Sequence, residues 1–194
     1  MESKGSKALI IVLLAVLAIA LGILGDLVIT LVERVIYPLE YTEYVEAASK
    51  QYGVPEHLIY AVIKTESDFE SGAVSGDGAV GLMQLLPATF EDLTRNVLFE
   101  HLEGGMIYDP ETNIRYGTYY LSYLYERYGD WRLALAAYNG GLGNVDKWLT
   151  DDRYSDGEGG LKKIPFGETR NYVSKTTRAW DAYDRLYGQK NTEK

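Results

Sequence analysis

The feature that most constrains this chain is an uncharged run of 18 residues near its N-terminus, Ala8 to Gly25. As a helix, such a run is about 27 Å long, which is close to the hydrocarbon thickness of a bilayer. Lys4 and Lys7 precede the run, whereas Asp26 and Glu33 follow it. Because positively charged flanks stay on the cytoplasmic side, the pattern predicts a single-pass membrane helix with a cytoplasmic N-terminus and an extracytoplasmic remainder.

Two other interpretations of this segment are open. A cleaved signal peptide has support from Ala18-Ile19-Ala20, which has the small-x-small form of a cleavage site. A core helix of a soluble protein is the third interpretation, and the length of the run disfavours it. The apolar stretch continues beyond the cleavage pattern, and polar residues recur there at helical spacing until Pro38, which ends helices. We therefore favour an uncleaved membrane anchor, which comprises residues 1–40, followed by one globular domain, which comprises residues 41–194.

The composition of the globular part excludes several kinds of chemistry. The chain has no cysteine, and His57 and His101 are its only histidines, so thiol nucleophiles, disulfides and multi-histidine metal sites are not expected. From residue 41 onward there are 16 basic and 24 acidic residues, a balance that argues against a nucleic-acid partner. Acid–base chemistry must therefore rest on carboxylates, tyrosines or lysines, and no cofactor or metal is predicted.

Helical periodicity accounts for the whole domain, so the predicted fold class is all-α. Helices are expected at 41–51, from Pro55 to Glu66, from Pro87 onward, at 109–128, at 131–138 and at 168–187. Glycine-rich surface loops are expected at 71–81 and 151–163, the second of them mobile. Gly117 lies in the buried stripe of the longest helix and is expected to permit close approach of another helix. One face of the last helix carries Tyr172, Thr176, Ala179, Tyr183 and Leu186.

Among the carboxylates, Glu66 stands out by its position. It ends an apolar helix and is followed by Ser67 and a glycine-rich loop. The negative end of the helix dipole and burial both disfavour a charged carboxylate, so both raise its pKa toward the range that a general acid needs near neutral pH. Most glutamates at helix ends are simply solvated, however, so position alone leaves the solvated and the catalytic interpretation open.

Five sequence blocks resemble the signature of the soluble-lytic-transglycosylase (SLT) domain family. They are Glu66-Ser67-x-Phe69, the stretch from Gly78 to Thr89 around Gly81-Leu82-Met83-Gln84, Asn113-Ile114-x-x-Gly117-x-x-Tyr120-Leu121, Ala137-Tyr138-Asn139-Gly140-Gly141 and Glu168-Thr169-Arg170-Asn171-Tyr172-Val173. A single block of this kind is weak support, but all five occur in the family's order over residues 66–173. The resemblance implies a lysozyme-like helical domain with a cleft for a glycan strand.

The resemblance also implies the chemistry. Glu66 takes the position of the family's acid/base, which protonates the β-1,4 glycosidic oxygen between MurNAc and GlcNAc in peptidoglycan and then draws a proton from the C6 hydroxyl of the sugar. That hydroxyl closes on C1 and leaves a 1,6-anhydroMurNAc end, so the cleavage is of the lyase type and consumes no water. Substrate contacts are implied for Ser67, Met83, Gln84, Tyr138, Asn139 and Tyr172. The expected partners are peptidoglycan strands and, through the N-terminal helix, the membrane.

Several assignments keep an alternative. Ser67 is equally suited to capping the helix end, and Met83 at such spacing is more often a core residue. Goose-type lysozymes carry acidic residues around the Gly-Leu-Met-Gln block, and Asp77 is the nearby candidate here, although its place between two glycines is typical of a turn. Hydrolysis of the same bond by a goose-type mechanism therefore remains an alternative activity. A non-catalytic glycan-binding scaffold is disfavoured, because binding alone does not require the acid.

Overall fold

The structure of the protein is a computed structural model, and it describes residues 4–98, 100 and 102–188. His101 lies outside the described residues. The chain divides into two compact units between Pro38 and Leu39. The first unit contains one helix, α1 (Lys4–Ile36), which over Val12–Ile36 is long and apolar enough to cross a membrane. None of that span is buried.

The second unit is helical throughout. Its helices are α2 (Thr42–Tyr52), α3 (Glu56–Glu66), α4 (Pro87–Asp92), α5 (Pro110–Tyr128), α6 (Trp131–Gly140), α7 (Leu142–Leu149) and α8 (Gly167–Tyr187). A π-helical turn over Leu93–Val97 follows α4, and a 3-10 turn over Gly104–Tyr108 precedes α5. In the described part of the chain, extended pairing is limited to isolated bridges of single residues. The predicted all-α fold class is confirmed.

Helix α3 is the central helix of this unit. Six consecutive residues, Leu58 to Ile63, are at most 2% exposed, which requires that other elements cover the helix on every side. Helix α8 packs against α3 and α6, while α5 packs against α2 and α6. The C-terminal end of α3, where Glu66 lies, is thereby held inside the domain.

The helix ends follow signals that are present in the sequence. Gly53 and Gly129 adopt positive φ angles of 69° and 66° after α2 and α5, a conformation that costs glycine little. The Asp109 side chain accepts a hydrogen bond of 2.9 Å from the backbone N–H of Thr112 and so caps α5, whose first residue is Pro110. The predicted helices agree with the observed ones to within two residues at each end.

Two features differ from the sequence prediction. The chain continues after Gly141 into α7, where no helix was expected. Gly117 does permit a close approach, but its neighbour is Met83 in the loop after α3 rather than another helix. A Cβ at residue 117 would lie 2.6 Å from the Met83 Sδ atom and 2.7 Å from its Cβ. The periodicity of α5 identifies the buried face but not the element that covers it.

Candidate active site

Glu66 is the last residue of α3, and its side chain is half-buried at the end of this enclosed helix. Burial raises the pKa of its carboxyl group from the ordinary value of 4.5 to about 7, and the nearby Tyr172 hydroxyl partly offsets this rise. Within the described residues, no cation and no second carboxylate contributes to this pKa. The carboxyl group therefore keeps a substantial protonated fraction near neutral pH.

Two tyrosines approach Glu66 from different helices. Tyr172, on α8, is 7% exposed, and its hydroxyl interacts with the Glu66 carboxyl group without forming a well-aligned hydrogen bond. Tyr138, on α6, donates its hydroxyl proton to the carbonyl oxygen of Met83 at 2.7 Å. Burial, and after it the charge of Glu66, raise the pKa of both tyrosines well above the usual value, so both hydroxyls stay protonated. The packing of α6 and α8 thus brings two neutral hydroxyls to the carboxyl group.

The chain turns sharply after Glu66. Asp68 and Phe69 have positive φ angles of 51° and 66°, which cost energy in residues other than glycine and are often found at functional sites. The Ser67 hydroxyl lies 2.8 Å from the carbonyl oxygen of Leu82 and 3.2 Å from the carbonyl oxygen four residues earlier in α3. Ser67 therefore caps α3 and ties it to the following loop, and its predicted contact with a substrate stays a prediction.

Gln84 lies in that loop with a positive φ angle of 48°. Its side-chain N–H group donates to the carbonyl oxygens of Ala73 at 3.1 Å and of Gly81 at 3.0 Å. The amide oxygen of Gln84 has no hydrogen-bond partner within the described part of the chain. The side chain therefore stabilises the loop and keeps one acceptor for a ligand, as a sugar-binding role requires.

Met83 contributes to the site through its backbone only. Its side chain is 0% exposed and packs against Gly117 of α5, so the structure corrects the prediction that this side chain contacts substrate. The backbone N–H of Met83 donates to the Asn113 Oδ1 atom at 2.8 Å, and its carbonyl oxygen accepts from Tyr138. The loop, α5 and α6 are joined at this residue.

Asn113 is an organising residue that the sequence analysis did not assign to the site. Its side chain is 1% exposed and also donates to the carbonyl oxygens of Val80 at 2.9 Å and of Ile107 at 2.8 Å. A Cβ at residue 81 would lie 2.4 Å from the Asn113 Nδ2 atom, which explains the glycine there. Both residues belong to the five blocks, but nothing in the sequence indicates that they touch.

Thr176 is a second residue near the site that was predicted only as part of a buried stripe. It lies one turn after Tyr172 on α8 and is fully buried. Neither the Thr176 hydroxyl nor the Tyr172 hydroxyl has a well-formed hydrogen bond within the described residues. Interaction with Thr176 acts to lower the pKa of Tyr172, so the two hydroxyls are close neighbours. A chain of hydroxyls thus leads from Thr176 through Tyr172 to Glu66.

The other two residues considered from the sequence lie in different settings. Asn139 is half-buried on α6 next to Tyr138, and its side chain forms no hydrogen bond with the described residues. Asp77 is exposed in a turn closed by a 3.0 Å hydrogen bond from the N–H of Gly78 to the carbonyl oxygen of Ser75. The geometry at Asp77 is that of an ordinary turn.

The fold and the site define an all-helical domain in which burial raises the pKa of one carboxyl group among the described residues, that of Glu66. Residues 43–158 of the chain match the Transglycosylase SLT domain family. The chain belongs to this family, and the relationship predicted from the five sequence blocks is confirmed.

The similar proteins are lytic transglycosylases. The chain is 37% identical over 183 residues to the soluble lytic murein transglycosylase of Escherichia coli K12, covering 91% of this chain and 27% of that protein. It is 34% identical over 171 residues to the membrane-bound lytic murein transglycosylase C of Serratia proteamaculans, covering 75% of this chain and 47% of that protein. The chain therefore spans about a quarter of the first relative's length and about half of the second's.

Solved structures agree with this relationship. The lytic transglycosylase Slt of Pseudomonas aeruginosa, determined as an inactive mutant, aligns with a TM-score of 0.70 and 34% identity over 78% of this chain and 25% of that chain. The 70 kDa soluble lytic transglycosylase of E. coli aligns with a TM-score of 0.70 and 32% identity over the same shares. The lysozyme-like helical fold expected from the sequence is confirmed.

Proposed function

We propose that the chain is a membrane-anchored lytic transglycosylase that cleaves the β-1,4 bond between MurNAc and GlcNAc in peptidoglycan. One observation carries the proposal. This chain belongs to the SLT family, and its Glu66 has a pKa of about 7 that no second carboxylate among the described residues influences. A carboxyl group in this state can donate a proton and then accept one, which are the two tasks of a single acid/base.

The reaction follows from these two tasks. Protonated Glu66 gives its proton to the glycosidic oxygen as the bond to C1 of MurNAc breaks, so GlcNAc leaves as an alcohol. The Glu66 carboxylate then takes the proton of the C6 hydroxyl of the same MurNAc, and the C6 oxygen forms a bond to C1. The enzyme returns to its protonated state, and the product carries a 1,6-anhydro ring. Every atom comes from the glycan, so no water is consumed.

The neighbouring side chains have supporting roles in this proposal. The Tyr172 hydroxyl stabilises the carboxylate form of Glu66 between the two proton transfers, because its interaction with the carboxyl group lowers the pKa that burial raises. The Gln84 amide oxygen and the Asn139 side chain are free to bind sugar hydroxyl and acetamido groups. Tyr138 and Ser67 hold the loop at the end of α3, and the Met83 backbone connects that loop to α5 and α6.

The relatives support a requirement for glutamate. The P. aeruginosa structure is that of an inactive mutant in which glutamine replaces a glutamate, and another similar structure is a complex of the 70-kDa soluble lytic transglycosylase with bulgecin A. Glu66, half-buried and with a raised pKa, fits the same requirement. A hydrolase of the goose type has less support, since Asp77 is exposed in its turn.

The localisation is part of the proposal. Residues 1–40 form the cytoplasmic N-terminus and the anchor, and residues 41–194 form the catalytic domain on the extracytoplasmic side. The length and apolar surface of α1 and the lysines that precede its uncharged run support this topology. The similarity to a membrane-bound relative is consistent with it.

Replacement of Glu66 tests the proposal. Glu66→Gln keeps the shape of the side chain but removes the transferable proton, so we expect the full chain in non-ionic detergent to solubilise purified peptidoglycan about 10²-fold more slowly or worse. Glu70→Gln is the matched control, because Glu70 is exposed only four residues later, and it should retain wild-type activity. A Glu66→Gln variant as active as the Glu70→Gln variant would exclude the mechanism.

A further inference from the structure

A cavity with positively charged walls lies apart from Glu66 and its neighbours. It is a cavity of about 420 Å³ bounded by α6, α8 and the loop that precedes α8. Five of the side chains that line it are cationic, and none is acidic: Arg132, Lys162, Lys163, Arg170 and Arg178. The chain as a whole has a net charge of −9, so this concentration of positive charge runs against its composition.

The arginines of this cavity differ from other arginines of the domain in that they form no ion pairs with described residues. Four arginines elsewhere form ion pairs of 2.5–2.7 Å with carboxylates, and they are Arg95, Arg115, Arg127 and Arg153. Among the described residues, Arg132, Arg170 and Arg178 have no carboxylate within ion-pair distance, and all three line the one cavity. The domain therefore neutralises many of its arginines and leaves the charge of this group uncompensated.

Three of the five cations are held in place by neutral acceptors. The guanidinium of Arg170 donates to the carbonyl oxygen of Ile164 at 2.9 Å, and that of Arg178 donates to the Ser174 hydroxyl at 2.7 Å. The Lys162 ammonium donates to the backbone carbonyl oxygen of Asp152 at 2.7 Å. These bonds orient the side chains without cancelling their charge, which reduces the entropy lost when an anion binds.

The cavity faces away from Glu66. Arg170, Ser174 and Arg178 recur every four residues along one side of α8, whereas Tyr172 and Thr176 lie on its buried side. A ligand in the cavity would therefore be separated from the acid–base centre by the width of α8. The site is distinct from the one that holds the glycan bond to be cleaved.

We propose that this cavity binds a phosphate group of an anionic ligand. A phosphate group arranges its acceptor oxygens tetrahedrally around the phosphorus, so several guanidinium and ammonium groups and the hydroxyls of Ser174 and Thr177 can approach it from different directions. A lone carboxylate is satisfied by a single arginine fork. Buried Ile164 and Val173 give the cavity an apolar floor, which strengthens the attraction between charges above it.

Calorimetric titration of the full chain in non-ionic detergent, at fixed ionic strength and without glycan, tests this proposal. Two probes distinguish the source of the phosphate: inorganic phosphate represents a free phosphate, and glycerophosphoglycerol represents the diester of a lipid headgroup or polymer. We expect at least one probe to bind. The Arg170→Gln/Arg178→Gln variant should bind it at least tenfold more weakly, and Arg132→Gln several-fold more weakly.

Matched controls separate this site from general attraction of anions. Lys50→Gln/Lys175→Gln removes two exposed charges outside the cavity, one of them on α8, and should leave the Kd within twofold of wild type. Because the cavity cations repel one another when empty, Arg132→Gln should not lower the melting temperature of the ligand-free protein. The proposal is overturned if neither probe binds, or if the control weakens binding as much as the cavity variants do. Either result leaves the assignment of Glu66 unaffected.

Discussion

At the scale of single residues, Glu66 differs from the other perturbed acids of the domain in what sets its pKa. Arginine partners lower the pKa of Glu100, Asp146 and Asp151, each of which is paired at the surface or near it. Burial raises the pKa of Glu66 instead. The paired acids are fixed as carboxylates, whereas Glu66 can exist in either form near neutral pH, as proton transfer in both directions requires.

This difference predicts the pH dependence of activity and stability together. The proton donor must be protonated in the free enzyme, so kcat/KM should fall as pH rises through about 7. The folded-state pKa is above the unfolded value of 4.5, so the folded state keeps a proton that the unfolded state releases. The contribution of Glu66 to stability is therefore fully present below pH 4.5 and is lost as pH rises through about 7, a loss of up to about 3 kcal/mol.

The glutamine side chain of the Glu66→Gln variant does not titrate, so this variant should not lose stability as pH rises through about 7. Its melting temperature should match wild type near pH 4.5 and exceed it at pH 8, as measured by calorimetric scans across this range. Equal pH dependence of the two melting temperatures would contradict a buried, protonated Glu66.

Tyr172→Phe tests the hydroxyl that faces Glu66. The hydroxyl has no well-formed hydrogen bond in the described structure, so its removal should leave the fold as stable as wild type. Activity should fall about tenfold or more, and the alkaline limb of the pH–rate profile should move upward, because Tyr172 lowers the Glu66 pKa. Tyr60→Phe removes another buried hydroxyl in α3 and should change neither activity nor the profile. Unchanged kinetics in Tyr172→Phe would make Tyr172 a packing residue.

At the scale of elements, the loop between α3 and α4 decides the geometry of the site. It reaches the core through Met83 and is held there by Asn113, while Ser67 and Tyr138 fix its two sides. Hydrophobic spacing predicted α3, α5 and α8 closely, because each buries a continuous apolar stripe. It left Met83 open between a core and a cleft position, because the choice depends on contacts between residues 30 or more positions apart.

Gly117→Ala tests the contact between this loop and α5. The added methyl group would overlap the Met83 Cβ and Sδ atoms, so we expect a loss of about 1–3 kcal/mol in the free energy of unfolding. Activity should fall as well, because Met83 must shift and its backbone bonds to Asn113 and Tyr138 with it. Gly143→Ala, in α7 with nothing within 4 Å of the new Cβ, should be neutral or stabilising by up to about 1 kcal/mol. Equal unfolding free energies for the two variants in denaturant titrations would show that the loop is not anchored at Gly117.

The sequence predicted only those parts of the site that local patterns encode. Glu66 was identified because an apolar helix ends there and because the surrounding block resembles a family signature. The burial of Thr176 was expected from its stripe, but its proximity to the Tyr172 hydroxyl depends on side-chain packing in α8. Asn113 carries three hydrogen bonds to two separate segments, and no local pattern encodes such long-range pairing.

At the scale of the whole molecule, the proposed anchor determines where the domain can act. The large apolar side chains of α1 from Val12 to Ile36 are 45–80% exposed, and exposing such a helix to water is unfavourable. We expect the full chain to fractionate with membranes, to resist extraction by high salt and to retain its N-terminus. Protease added outside spheroplasts should digest the domain but leave the N-terminal segment. A mature chain that begins at Leu21 would instead establish a cleaved signal peptide and a secreted enzyme.

The proposed mechanism requires that cleavage at Glu66 consumes no water, and digestion in water enriched in oxygen-18 measures this directly. Mass spectrometry of the fragments should show MurNAc ends that are lighter than hydrolysed ends by one water and carry no heavy oxygen. Glu66→Gln should release almost no fragments under the same conditions. Wild-type fragments whose MurNAc ends contain oxygen-18 would show that water is the nucleophile, and the chain would then be a hydrolase.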